Sequence, residues 1–260
     1  MPVRRRAGGR GLTHPELPAP IMLVIGHRGA AGHVAENTLG SMRRALALGV
    51  DGIEFDVRRC DDGLVVLHDA TLERTTNGHG ACRARSLAEL RGLETANGER
   101  VPLLGEVLAL VTGCALVNVE IKEGEIADSV VAALEQWYAD TPRALERVLL
   151  STFDVAATAR LAVRRGRMRL GVLYEDEPFP DALSRARDLA ADSIHLPLED
   201  VSPATVGAAR EAGLAVYVYT VNEAADIAHC HACAVDGVFS DFPDRVIAFE
   251  RNHGNKEGRP

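Results

Sequence analysis

Residues 50–69 read VDGIEFDVRRCDDGLVVLHD, two β-type runs, DGIEFDV and LVVLH, with only Cys60-Asp61-Asp62-Gly63 and its immediate flanks between them. A crossover helix needs a dozen or more residues, so this pair must form an antiparallel hairpin. With the turn centred on Asp61-Asp62, His68 folds back to lie opposite residue 55, beside Glu54 and Asp56. Residues two apart on a strand share a face, so Glu54 and Asp56 point one way while Ile53, Phe55 and Val57 point the other.

Outward from this hairpin the chain alternates short β-type runs with segments of helical period, the pattern of a parallel sheet with crossover helices. The expected strands are MLVIGH, DGIEFDV, ALVNVEI, RVLLST, RLGVLY, DSIHL, AVYVYT and DGVFSD. The helices between them carry readable ends. NTLGSMRRALALG has an Asn or Thr cap and a closing Gly, and SPATVGAAREAG has a Ser cap, Pro in the first turn and a closing Gly. Eight βα units in about 230 residues suit a (β/α)₈ TIM barrel, whose active site lies at the C-terminal ends of the strands. A doubly wound sheet is the weaker alternative, because no GxGxxG follows the first strand. The hairpin is the one break in the alternation. Residues 69–102, Gly-punctuated and loop-like, are expected as a small insertion after the second strand that crosses the barrel mouth.

A chain of 260 residues with 47% hydrophobic and 25% charged residues can bury a full core. Its net charge of -8 argues against nucleic acid as a partner and requires a local cation for any anionic substrate. Five scattered cysteines do not form a secreted disulfide framework, and the arginines near the start lack an apolar run behind them, so a cytoplasmic protein without a membrane span is expected. Residues 1–21, rich in Arg, Gly and Pro, read as a disordered extension, with Met22 as an alternative start. Residues 22–252 read as one barrel domain and 253–260 as a flexible tail.

Glu54 and Asp56 facing the barrel interior are costly unless a cation or protons neutralise them. ALVNVEIK repeats the device, with Asn118, Glu120 and Lys122 on one face. Three carboxylates at strand ends are hard oxygen ligands, and no cysteine joins them, so one divalent cation, Mg²⁺ or Ca²⁺ with Mn²⁺ possible, is expected at Glu54, Asp56 and Glu120. Gly26-His27-Arg28-Gly29 ends the first strand at the same rim, and His68 arrives from the hairpin. Two histidines beside a metal can divide acid and base work while Arg28 and Lys122 hold a phosphate. The set reads as phosphodiester cleavage.

GHRG, ENT, GVDGIEFDVRRCDDGLVVLHD, LERTTNGHG, NVEIK, YTVN and DGVFSDFPD resemble, in order and spacing, the glycerophosphodiester phosphodiesterase family across nearly all of residues 23 to 244. That resemblance implies a (β/α)₈ barrel with a small insertion after the second strand. It also implies hydrolysis of deacylated phospholipids, small-molecule glycerophosphodiesters, to sn-glycerol 3-phosphate and an alcohol. Carried onto this chain, it makes Glu54, Asp56 and Glu120 metal ligands, His27 and His68 the acid and base pair, and Arg28 and Lys122 phosphate-binding. In the mechanism it implies, the glycerol 2-hydroxyl attacks phosphorus to give a cyclic phosphate that water opens; direct attack by a metal-bound water is the alternative. Two positions depart from the family pattern: Ala35 stands before ENT where Pro is common, and Tyr219 stands where Trp is usual before TVN. Tyr219 belongs to the wall against which glycerol or the alcohol packs.

Other features have plainer readings. An isolated ExD usually marks a solvated edge strand, a reading the second in-phase strand and the two histidines reverse. Cys230-His231-Ala232-Cys233 lies in an expected helix without a second ligand pair. RRGRMR, residues 164–169, reads as a solvated helix end, and His195 as barrel packing. Two further functions stay open: a related barrel phosphodiesterase acting on lysophospholipid or phosphoinositide headgroups, and a catalytically inactive barrel that binds phosphate esters. The absence of a Trp or Phe cluster from 69–102 favours a soluble substrate over a lipid-bound one.

Overall fold

In the computed structural model, which describes residues 22–253, Gly52–Arg59 forms a strand (β2) whose two faces separate completely. Ile53, Phe55 and Val57 are fully buried among helices, and Glu54 and Asp56 are buried on the opposite face. Leu23–Gly26 (β1) pairs in parallel with β2 on one side and with Gly237–Ser240 (β9) on the other, which closes the sheet into a ring. Between them lie Leu116–Ile121 (β4), Val148–Thr152 (β5), Arg169–Leu173 (β6), Ser193–Pro197 (β7) and Ala215–Tyr219 (β8), each parallel to its neighbours. This is the eight-stranded parallel barrel the alternation predicts. The extension expected over 1–21, and all of the tail expected over 253–260 except His253, lie outside the described residues.

Leu64–Val66 (β3) is the extra strand. It runs antiparallel to the far end of β2 with Val57 opposite Val66 and Arg59 opposite Leu64, and the Leu67 N–H donates to the Asp56 carbonyl at 3.1 Å. The same register carried onward sets His68 across from Phe55, as the turn at Asp61-Asp62 requires.

Eight helices cover the barrel: Leu39–Leu48 (α1), Leu104–Val111 (α3), Ala127–Trp137 (α4), Val155–Arg164 (α5), Phe179–Asp188 (α6), Pro203–Glu211 (α7), Ala224–Ala232 (α8) and Pro243–His253 (α9). Thr38 caps α1 by accepting from the Ser41 N–H, and Gly49 closes it in the left-handed region. Ser202 caps α7 with Pro203 in its first turn. Outward strand residues pack under these helices in two clusters, while Ile25, Leu116, Leu149, Tyr217 and Phe239 plug the lumen. The barrel is therefore a filled core beneath its C-terminal mouth.

The excursion over 69–102 is more ordered than its loop-like sequence suggests. It holds a one-turn helix, Leu87–Arg91 (α2), whose Ser86 and Glu89 form a reciprocal capping box, and a small core of Cys60, Val65, Leu67, Leu72, Cys82, Leu90 and Val101. The Ser-x-x-Glu spacing was present in SLAE, but five helical residues give too little periodicity to read. Glu99 accepts from the Gly40 N–H at 2.9 Å, tying the excursion to the start of α1.

Phe55 lies between the two acids of β2, 0% exposed. Phe55→Ala is expected to cost about 3–5 kcal/mol through the cavity it leaves. A Tm lowered by about 10 °C in thermal unfolding would record it.

Candidate active site

β1 stops at Gly26, and the next residues make a turn that no ordinary strand allows. Arg28 (φ 51°) and Gly29 (φ 85°) are both left-handed, and a Cβ on Gly29 would sit 2.5 Å from the backbone carbon of Ser41. This turn aims the Arg28 N–H at Glu54 Oε2, 2.7 Å away. The Arg28 guanidinium lies over the acids, with Nη1 2.8 Å from Glu36 Oε1 and Nε 3.3 Å from Asp56 Oδ2.

Glu54 and Asp56 from β2 and Glu120 from β4 offer oxygens that all lie within 4.8 Å of one another. Among the described residues this is the one group of His, Cys, Asp and Glu arranged to hold a metal ion. Asp56 pairs with Asn37 twice: its Oδ2 accepts from Asn37 Nδ2 at 2.7 Å, and its N–H donates to Asn37 Oδ1 at 3.2 Å. Lys122 Nζ sits 2.5 Å from Glu120 Oε1 and 3.5 Å from Asp56 Oδ1. Glu54 Oε1 and Asp56 Oδ1 remain buried with no hydrogen-bond partner among the described residues. Buried carboxylate oxygens left over in a hard-donor cluster are what a divalent cation requires, so these residues fit one.

The electrostatics reflect that crowding. Burial first, and the charge of Asp56 second, push the Glu54 carboxyl up to about 8. Burial and Asp56 also raise Glu120. Asp56 goes the other way: burial opposes its charge, but Lys122 and Arg28 outweigh burial and hold it below the usual carboxylate range.

Two histidines face the same cavity, and a carboxylate stands behind each. His27 Nδ1 is 2.7 Å from Asp241 Oδ1, and Asp241 is held by Asn222 through its other oxygen at 2.8 Å and its N–H at 2.9 Å. His68 Nδ1 is 2.6 Å from Asp69 Oδ1. Arg74 grips Asp69 with Nε at 2.6 Å and Nη2 at 2.9 Å, and reaches Glu36 with Nη1 at 2.7 Å and Nη2 at 2.8 Å. With Nδ1 engaged, Nε2 of each ring is the nitrogen left for chemistry. Burial lowers His27, but the Asp241 hydrogen bond together with the charges of Glu54 and Asp241 outweighs it and the net shift is upward. For His68 burial prevails and the shift is downward.

These groups line a cavity of about 350 Å³ that also includes Phe153, Leu173, Glu175, His195, Tyr219, Thr220 and Phe239. Each residue singled out from the sequence meets there: His27, Arg28, Glu54, His68, Glu120, Lys122 and Tyr219 on the wall, and Asp56 directly beneath. Sequence reading missed the supports, namely Glu36, Asn37, Asp69, Arg74, Asn222 and Asp241. All six lie inside ENT, LHD, LERT, YTVN and FSDFPD, so the signal was present without a geometry to interpret it.

The plainer readings also find their places. Arg164, Arg165 and Arg167 pair with Glu135, Asp192 and Glu146. His195 is buried in the lumen against Tyr217 and Phe239, and a Cβ on Gly171 would come 2.4 Å from its Nε2. Cys230 and Cys233 are unpaired and buried on α8, burial pushes the Cys230 thiol up to about 12, and the nearby His229 Nε2 lies 2.9 Å from the Val201 carbonyl.

Opposed charges converging on the mouth of a closed barrel suit an enzyme that hydrolyses phosphate esters, and comparison with known proteins sharpens that class. The chain belongs to the Glycerophosphoryl diester phosphodiesterase family, whose profile matches residues 27–245. A glycerophosphodiester phosphodiesterase of Caldanaerobacter subterraneus subsp. tengcongensis is 33% identical over 249 residues, covering 89% of this chain and 99% of that protein. One of Bacillus altitudinis is 32% identical over 240 residues, covering 86% and 96%. Among solved structures, an Oleispira antarctica phosphodiesterase in complex with the product sn-glycerol-3-phosphate superposes with a TM-score of 0.78 at 26% identity, covering 88% of this chain and 96% of that one. The chain is thus a phosphoric diester hydrolase. Among its described residues no helix is long and apolar enough to cross a membrane.

The raised acids set a pH dependence. In the unfolded chain Glu54 loses its proton near 4.5, and in the folded metal-free protein near 8, so between these values the unfolded state binds fewer protons. Stability contributed by the protonated carboxyl is present below 4.5 and lost as pH rises to 8. Metal-free protein is expected to melt at progressively lower temperature from pH 5 to 8. The same scan on Glu54→Gln is expected to be flatter.

Proposed function

We propose that this enzyme cleaves glycerophosphodiesters to sn-glycerol 3-phosphate and an alcohol, with His27 and His68 exchanging protons and a divalent cation held by Glu54, Asp56 and Glu120. The observation that carries this reading is the pair of buried oxygens without a hydrogen-bond partner among the described residues, Glu54 Oε1 and Asp56 Oδ1, beside two histidines each backed by a carboxylate. When bound, the cation neutralises the acids and polarises a phosphate oxygen, a role open to Mg²⁺, Ca²⁺ or Mn²⁺.

Arg28 and Lys122 offset the negative phosphate. Arg28 Nη2 makes no hydrogen bond among the described residues, and Lys122 stands on the cavity wall. One histidine accepts the proton of the attacking oxygen, the glycerol 2-hydroxyl in the route the family resemblance implies. The other donates a proton to the departing alcohol oxygen as its bond to phosphorus breaks. In the second half water attacks the cyclic phosphate and the two rings exchange roles, which restores both proton states. Asp241 and Asp69 keep each Nε2 aimed at the cavity and stabilise the protonated ring. Tyr219 closes the wall against which the organic groups lie.

The test uses metal-stripped protein with glycerophosphocholine and glycerophosphoethanolamine, reading sn-glycerol 3-phosphate as Mg²⁺, Ca²⁺ or Mn²⁺ is returned. Product restored by an ion is expected, and no product with any ion sinks the reading. His27→Ala and His68→Ala are each expected to lower kcat by about 10²- to 10⁴-fold without loss of fold. Added cation is expected to raise the Tm of the wild type and leave that of Glu54→Gln nearly unmoved, a readout independent of turnover.

A further inference from the structure

The two halves of the barrel mouth differ in chemistry. β1, β2 and β4 supply the ionic half already described. The other half is set by inward-facing residues that continue the strand alternation past the strand ends. On β5 the inward series Leu149 and Ser151 continues to Phe153, and on β8 Ala215 and Tyr217 continue to Tyr219. Gly171 and Leu173 face inward on β6, and in the bend that follows the strand Glu175 also lines the cavity, exposed at its open edge, while Tyr174 is buried against Phe179.

Phe153 and Tyr219 meet edge to face with centroids 6.0 Å apart, and Lys122 Nζ lies 5.8 Å from the Phe153 ring. The cavity wall thus passes from a cation, Lys122, through two aromatic rings to a carboxylate, Glu175. Glu175 makes no ion pair or side-chain hydrogen bond among the described residues, whereas its neighbour Glu177 pairs with Arg185. The charge beside it adds to its field, because Glu175, Glu199 and Asp200 all act on the Tyr219 phenol.

We propose that Glu175, with the rings of Phe153 and Tyr219, forms the subsite for the leaving alcohol and selects diesters whose alcohol carries a positive charge, an alkylammonium. Aromatic faces attract an ammonium through the ring quadrupole, and a carboxylate at the open edge completes its neutralisation. A diester of such an alcohol is itself polarised in this sense, with an anionic phosphate on one side of the alcohol and the ammonium on the other, matching Lys122 and Arg28 at one end of the wall and Glu175 at the other. The protein's net charge of -8 favours the same class in the encounter. The proposal rests on the phosphodiesterase reading above and specifies which diesters that site prefers.

The test compares glycerophosphocholine and glycerophosphoethanolamine with the uncharged-alcohol diesters glycerophosphoglycerol and glycerophosphoinositol, in wild type, Glu175→Gln and Glu175→Lys. The expected result is a wild-type kcat/KM at least about fivefold higher for the cationic pair, weakening with salt. That ratio should collapse in Glu175→Gln and invert in Glu175→Lys. Equal turnover of all four diesters by the wild type overturns the subsite while leaving the reaction reading intact. Equal losses on all four in Glu175→Gln also overturn it, by placing Glu175 on the glycerol shared by every substrate. Should no diester react at all, the reaction reading fails, and equilibrium titration with phosphocholine and inorganic phosphate decides the subsite. Glu175→Gln must then weaken phosphocholine alone by about fivefold, and equal affinities in the wild type overturn the proposal.

Discussion

The structure turns on an electrostatic constraint: Glu54 and Asp56 lie two residues apart on one buried strand, so both must face the same way. Strand geometry leaves them no alternative, because the intervening Phe55 fills the helix-facing core. The rest of the mouth can be understood as what makes that arrangement tolerable. The Arg28 backbone and guanidinium, Asn37 and Lys122 all bind these acids or sit over them, and Arg28 reaches them only because Gly29 permits a left-handed turn. Even so the compensation is incomplete, since Glu54 is held up to about 8 and two oxygens stay without a hydrogen-bond partner among the described residues. An interior that neutralises its acids only in part is poised for a further positive charge.

Around that centre the histidines are held as well. Each has a carboxylate at Nδ1, and each carboxylate has its own anchor, Asn222 for Asp241 and Arg74 for Asp69. The anchors come from different regions, the loop after β8 in one case and the excursion in the other. The two imidazoles are therefore oriented independently of one another, by separate segments of the chain.

Much of this was legible in the sequence, and the reason is alternation. Period two in IEFDV and VNVEI assigned each acid a face, and the short gap before LVVLH set the hairpin register from which the place of His68 followed. Glu175, just past the end of β6 in LGVLYE, also lines the mouth, yet that acid was not singled out because one carboxylate beyond a strand end has neither a fixed face nor a partner in sequence. The residues that support the histidines and Asp56 were hidden for a different reason. Asn37, Asp69 and Arg74 sit in loops whose backbone follows no period, so their side chains gain direction only from three-dimensional contacts. The excursion's small core was illegible likewise, being assembled from Cys60, Cys82 and Val101, which are far apart in the chain.

Arg74 belongs to the excursion, yet its guanidinium joins Asp69, which stands behind His68, to Glu36, which stands beside Arg28. One surface side chain thus links the two flanks of the site through a segment that contributes little to the barrel core. Local opening of that segment would leave the barrel folded while releasing an imidazole and an arginine together. The insertion therefore acts as a keystone for the site, tying Asp69 and Glu36 together through one guanidinium.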